Sequence, residues 1–416
     1  MGTRQTSRPP LWGSLLVVLL FAMTAPGPAS AQPAAAAAQG LNPDISAIGD
    51  FLVDLSPTYP RFSEDGNRFS LREVEIGIQA AVDPFFRVDF FLGVHGDGLE
   101  VEEAYVTALA LPGGLQARLG RFRIPFGKVN LTHLPESLTV EYPWVIREYF
   151  GPEGFASAGA AVSRIFAPLG FYQEFQILTT TGLDAGADAH GEHNDTNNDV
   201  PEGLRVGSRE RRGREQLTVT AHLRNFHDLS VAANVEVGFS AAFGSVERLA
   251  LPGCPAGVPC PHDAVLDFQG QRFYGSNITF RWRPPQRALY RSFQASAEMV
   301  VNDGPESTVW GGFGFAQWQI GRRWYVGGRF DIVQEPGKAS IELHPEDTSH
   351  DLHLRLDRGG ERLLAGSGYL TFMPSEFSRF RIVVERILGE AAPNGGQWRA
   401  VVQSTFSIGP HRPHPF

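Results

Sequence analysis

The feature that most restricts this chain is period-two alternation sustained over lengths that soluble strands seldom reach. Between 229 and 243, Leu229, Val231, Ala233, Val235, Val237, Phe239, Ala241 and Phe243 share one face, and Ser230, Asn234, Glu236 and Ser240 the other. Strands of soluble domains mostly run about 5–6 residues, whereas a tilted strand needs about 9–11 to cross a bilayer. The pattern recurs at 74–82, 88–94, 217–223 and 293–301. A sheet closed into a barrel supplies the two environments these faces need, lipid outside and a wet lumen inside. The expected fold is all-β, a transmembrane antiparallel β-barrel.

About sixteen strands are predicted, at 45–55, 69–82, 86–95, 101–111, 115–124, 157–166, 170–181, 215–226, 229–243, 271–283, 289–302, 308–320, 324–334, 363–373, 378–388 and 397–408. Every second connection is short: Asp83-Pro84, Pro112-Gly113-Gly114, Pro168-Leu169, His227-Asp228, and those at 284–287, 321–323 and 374–377. The others include long loops at 125–156, 182–214, 244–270 and 335–361. Tight turns on one side and long loops on the other mark outer-membrane barrels, and an even count returns both termini to the periplasm. Trp282, Tyr290, Trp310, Trp318, Trp324, Tyr325 and Trp398 sit near strand ends, where an interfacial girdle would lie.

Ahead of the barrel, Arg4 and Arg8, the apolar run at 15–23 and Ala29-Ser30-Ala31 have the layout of an export signal over 1–31. A flexible leader follows at 32–44 and the barrel occupies 45–416. The chain carries a formal charge of −9, and losing Arg4 and Arg8 makes it −11. That acidity argues against a nucleic-acid partner. The expected surroundings are outer-membrane lipid and lipopolysaccharide, with small solutes or ions inside.

The connection at 125–156 is too apolar for a solvated linker, with Val129, Leu131, Leu134, Val140, Trp144, Val145, Ile146, Tyr149 and Phe150. It is expected to fold into the lumen and narrow it, Gly127, Gly151 and Gly154 allowing the bend. The alternative keeps it outside, latched over a neighbouring subunit. The strand before it, 115–124, is expected to carry a bulge at Gly120-Arg121. Expected constriction residues are Arg118, Arg123, Lys128, Arg147 and Glu103.

GRFRIPFG at 120–127, with EEAYV at 102–106 before it and Asn130 and His133 after it, resembles the glycine-basic-phenylalanine and phenylalanine-glycine signature of the phosphate-selective porin group. PSEFSRFRI at 374–382 and the ending GPHRPHPF are similar to related barrels labelled zinc-regulated outer-membrane receptors. The resemblance implies a sixteen-stranded pore with an inward loop and anion-binding basic residues, assembled as a homotrimer.

Predicted inward charges of both signs, from Glu73 and Glu75 to Arg399, and a loop holding Lys128 and Arg147 beside Glu136, Glu141, Glu148 and Glu153, point to weak selectivity. The expected function is a porin, a passive channel for small hydrophilic solutes or ions. The alternative is substrate-specific uptake of a divalent metal or phosphate. His190, Glu192, His193 and Asp195 offer imidazole and carboxylate donors for a metal, though such loops are also acidic simply because they are solvated. A hydrolase would need a nucleophile and base at a barrel rim, and no such pairing is favoured by spacing; neither catalysis nor a cofactor is expected. Cys254 and Cys260, the two cysteines of an exported chain, are expected to form a loop disulfide.

Overall fold

The computed structural model describes residues 43–58, 61–62, 67–96, 98–182, 207–208, 217–250, 265–305, 307–343, 352–357, 359–392 and 395–409. The signal segment, His190 to Asp195 and both cysteines lie outside the described residues.

Sixteen strands form one closed antiparallel ring: β1 (Asp44–Asp54), β2 (Phe69–Ala81), β3 (Phe86–His95), β4 (Gly98–Leu111), β5 (Leu115–Arg123), β6 (Ala156–Phe166), β7 (Tyr172–Thr181), β8 (Leu217–Ser230), β9 (Ala233–Ala250), β10 (Val265–Trp282), β11 (Phe293–Asp303), β12 (Thr308–Gln319), β13 (Trp324–Gln334), β14 (Arg362–Ser375), β15 (Ser378–Gly389) and β16 (Gln397–Ile408). Each pairs with the next, and β16 returns to β1, Ala47 opposite Ile408 and Asp54 opposite Val401. Closure leaves no row of barrel-strand backbone groups unpaired, which lipid requires.

Burial is inverted relative to a soluble protein. On β15, Arg379, Arg381, Val383, Glu385 and Ile387 are buried, while Phe380, Ile382, Val384 and Leu388 are exposed. On β1, Asp50 and Asp54 are buried while Ile45 and Phe51 are exposed. Charges inside and hydrocarbon outside is the arrangement stable in a bilayer. Tyr290, Trp310, Trp318, Trp324 and Trp398 all present exposed rings.

The structure corrects several local expectations. The alternation at 229–243 does not belong to one strand: β8 runs to Ser230, and the turn is Val231-Ala232, where Ser230 Oγ accepts the Ala232 N–H at 3.2 Å. A two-residue turn pairs Ser230 with Ala233 and would invert the alternation, but the register shift that follows sets Asn234 opposite Asp228 and skips Leu229, so the alternating pattern passes through the reversal unchanged. The expected bulge at Gly120-Arg121 is absent. Pairing of β5 with β6 runs unshifted from Leu115 opposite Arg164 to Arg123 opposite Ala156. Gly120 answers a close approach instead, since a Cβ there would stand 2.2 Å from the Ala104 carbonyl oxygen. Part of the expected 244–270 loop is strand, because β9 and β10 pair out to Ala250 opposite Val265. The expected 335–361 loop holds a separate hairpin, Lys338–Leu343 with Leu352–Asp357. Strand that continues past the hydrocarbon has no lipid to face, so its sequence need not alternate.

Candidate functional site

The connection between β5 and β6 contains two single 3-10 turns, Val129–Leu131 and Leu134–Glu136, and one short helix, α1 (Trp144–Phe150). Its two ends are tied by one side chain. Asn130 Nδ2 donates to the carbonyls of Ile124 and Phe155, both at 2.8 Å, and Asn130 Oδ1 accepts the Phe155 N–H at 2.7 Å. Around this knot Phe126, Phe150, Phe155 and Phe273 of β10 pack ring on ring, Phe150 stacked on Phe155 at 5.0 Å.

The polar groups of the segment meet wall side chains on many strands. Towards β9 and β11, Lys128 Nζ lies 2.9 Å from Glu236 Oε1, and Glu298 Oε1 accepts the N–H groups of Lys128 and Val129 at 2.8 Å each. Gly127 makes this possible: its φ is +70°, and a Cβ would fall 2.1 Å from Glu298 Oε2. Towards β13, Asp331 accepts the Trp144 N–H at 3.0 Å, and Arg329 donates to the Glu141 carbonyl at 2.9 Å. Arg379 and Arg381 of β15 both donate to the Ser137 carbonyl, at 2.9 and 3.1 Å. On β2, Arg72 donates to the Val140 carbonyl while pairing with Asp50. The Glu141 carboxylate is shared, its Oε2 lying 2.7 Å from Arg399 and 2.8 Å from Arg147.

His133 sits among three carboxylates. Nε2 is 2.7 Å from Glu103 Oε1, while Nδ1 is 2.7 Å from Glu102 Oε2 and 3.1 Å from Glu75 Oε2, ion contacts off the hydrogen-bond angle. Glu102 and Glu103 are consecutive yet both buried, because a register shift at Phe91/Leu92 sets Glu103 opposite Phe91 and Val101 opposite Leu92. A bulge lets two successive side chains share a face.

These surroundings retune the segment's titratable groups. Burial pushes Lys128 down to about 8, with Glu236 opposing only in part. Burial also disfavours the His133 imidazolium, but Glu75 and Glu102 reverse that and hold its pKa well above the ordinary value. Burial would raise Glu141, yet Arg147 and Arg399 keep it below the usual carboxylate range.

Of the residues expected at a constriction, Glu103 and Arg123 lie together, Glu103 Oε2 accepting the Arg123 N–H at 3.3 Å. Arg123 also donates to Glu102 at 3.2 Å and to the Glu153 carbonyl at 2.8 Å. Lys128 is held at β9. Arg147 pairs with Glu141 and lies over the Trp144 ring at 4.7 Å. Arg118, half-buried, lies over the Tyr105 ring at 4.5 Å. Asp50 is not among the residues expected from the sequence, and Glu102, His133 and Arg379 appear there only as members of the family signatures. Alternation signals Asp50 and Arg379, each two residues from another buried position, whereas the bulge that turns Glu102 inward leaves no mark in the sequence.

The ring, its inverted burial and its charged interior define a sixteen-stranded barrel of the outer-membrane porin type, located in the outer membrane. No family model matches the chain. Over 372 residues it is 27% identical to an uncharacterized protein of Aquifex aeolicus strain VF5, covering 84% of this chain and 70% of that one. Among solved structures it is similar to OprB of Pseudomonas putida, with a TM-score of 0.54 and 9% identity over 89% of this chain and 95% of the other. The trimer form of OmpT, an outer membrane protein of Vibrio cholerae, superposes with a TM-score of 0.51 and 6% identity over 88% of this chain and 99% of the other. At these identities the likeness is one of fold.

Proposed function

We propose that the chain is a porin, a passive diffusion channel for small hydrophilic solutes or ions with weak selectivity, in which residues 124–155 lie across the lumen as the constriction. The observation that supports this reading is the spread of the segment's anchors: it is bonded to Glu75 on β2, Glu236 on β9, Asp331 on β13 and Arg381 on β15. A segment held from so many directions narrows the passage between them. Weak selectivity follows from the pairing of charge. Arg123 meets Glu102, Arg399 meets Glu141 and Glu385, and Arg329 meets Asp331, so opposite signs face each other along the wall. The motif that resembles the phosphate-selective porin signature falls under the same rule, since Arg121 stands 3.7 Å from Glu100. By the same resemblance, the assembly we propose is a homotrimer.

Planar-bilayer recording tests the constriction. Shortening the segment between Leu134 and Trp144 raises single-channel conductance, and Arg118→Glu moves the reversal potential towards cations. Unchanged values in correctly folded variants would remove the segment from the pore and favour its burial at a subunit interface. Liposome swelling over sugars, amino acids and phosphate then ranks the solutes.

A further inference from the structure

Beside the segment, Glu73 of β2, His95 at the end of β3 and Glu102 of β4, whose other carboxylate oxygen meets His133 and Arg123, each bring one donor atom within 4.8 Å of the other two. His95 Nδ1 lies 3.3 Å from the Arg72 carbonyl oxygen. With the Nδ1 proton donated there, Nε2 carries the lone pair. That Nε2, Glu73 Oε1 and Glu102 Oε1 are all buried without a hydrogen-bond partner. Glu73 and Glu102 are only 3% and 7% exposed.

Three electron-rich atoms aimed at one small space repel each other unless a proton or a cation is shared among them, and buried polar atoms left unmatched are costly. A cation between them converts the repulsion into coordination, and the backbone carbonyl on Nδ1 is the kind of outer partner that orients an imidazole ligand. The space is kept open by Gly93, where a Cβ would lie 2.7 Å from His95 Nε2 and 2.8 Å from Glu102 Oε1. A cavity lined by Glu73, His95, Arg147 and Glu153 adjoins the site and offers a way in. Glu73, Glu75, Glu102 and Glu103 are gathered around Arg123 and His133, while Arg72 and Arg147 share the adjoining cavity with Glu141 and Glu153, so carboxylates outnumber cations around the site.

We propose that Glu73, His95 and Glu102 bind a divalent transition-metal ion of the zinc type. One imidazole nitrogen and two carboxylates suit that ion, and three protein ligands leave a coordination position for water. The ion ties three adjacent strands together beneath the segment's His133 anchor.

The test uses the full chain extracted from outer membranes, stripped with a chelator and titrated with Zn²⁺ against a chromogenic competitor. Folding of each variant is checked by heat-modifiable gel mobility. His190→Ala combined with His193→Ala serves as background, so that the distant acidic loop does not contribute. In it one tight site remains, and adding His95→Asn or Glu73→Gln weakens that site by roughly tenfold or more. Gly93→Ala weakens it too while leaving every donor in place. Folded His95→Asn and Glu73→Gln proteins that bind Zn²⁺ as tightly as the background would overturn the proposal. Should those variants fail to fold, the background protein decides: Co²⁺ gives ligand-field bands that Zn²⁺ abolishes, and their absence would overturn it.

Discussion

Lys128 Nζ lies 2.9 Å from Glu236 Oε1, a contact that joins the start of the β5–β6 connection to a strand four places further round the ring. Both side chains are almost fully buried, so neither charge is screened by bulk water. The pair is thus a sensitive reporter of the field at the proposed constriction.

Lys128 should make selectivity depend on pH. Its pKa of about 8 means that the ammonium is lost as pH rises from 7 to 9, while Glu236 stays anionic. The reversal potential should therefore move towards cation preference across that interval, and Lys128→Met should remove the pH dependence. The linkage has a definite sign: the folded value lies below the ordinary 10.5, so the folded state binds fewer protons between the two values and this group's contribution to stability rises with pH there. A pH-independent reversal potential in the unmodified protein would rule out Lys128 as a pore charge.

Asn130→Ala should loosen the base of the segment. It removes three hydrogen bonds and leaves the buried Phe155 N–H without its acceptor. An unsatisfied buried group costs about 1–3 kcal/mol. Urea unfolding in detergent should show a lower midpoint at constant slope, and a midpoint equal to that of the unmodified chain would mean that ring packing and the Ile124 N–H to Phe155 carbonyl bond hold the ends without Asn130.

Glu141→Gln should be more damaging than Arg147→Gln. Arg399 is fully buried and shares Glu141 with the more exposed Arg147. Breaking a buried pair from one side costs roughly 3–5 kcal/mol, whereas a partly exposed pair contributes about 0–1 kcal/mol. A double-mutant cycle with Arg399→Gln should return a coupling energy well above that for Arg147→Gln. Equal couplings would show that the two arginines hold Glu141 alike.

Cys254 and Cys260 are expected to be joined in native protein, contributing roughly 2 kcal/mol to their loop in the chain-entropy model. Thiol labelling before and after reduction checks this. Two labelled thiols in unreduced native protein would exclude the bond.

The sequence alone determined the barrel, a count of about sixteen strands that closure of the ring then fixed, and the location of nearly every strand within the membrane. Lipid and lumen impose opposite demands on successive residues, so each strand writes its own environment into period-two alternation, as Phe380 to Leu388 against Arg379 to Ile387 shows on β15. Where that demand lapses the pattern falls silent, which is why the outer reaches of β9 and β10 read as loop. Alternation also carries no information about where a turn or a bulge resets the register. The Val231-Ala232 turn and the joint burial of Glu102 and Glu103 became visible only once partner strands were in place. The same holds for pairings across the ring. Lys128 with Glu236 and Arg399 with Glu141 are separated by more than 100 residues, and which cation meets which carboxylate is settled by barrel closure and by the path of one irregular segment. No local propensity encodes either, because irregular backbone takes its course from the side chains that happen to surround it.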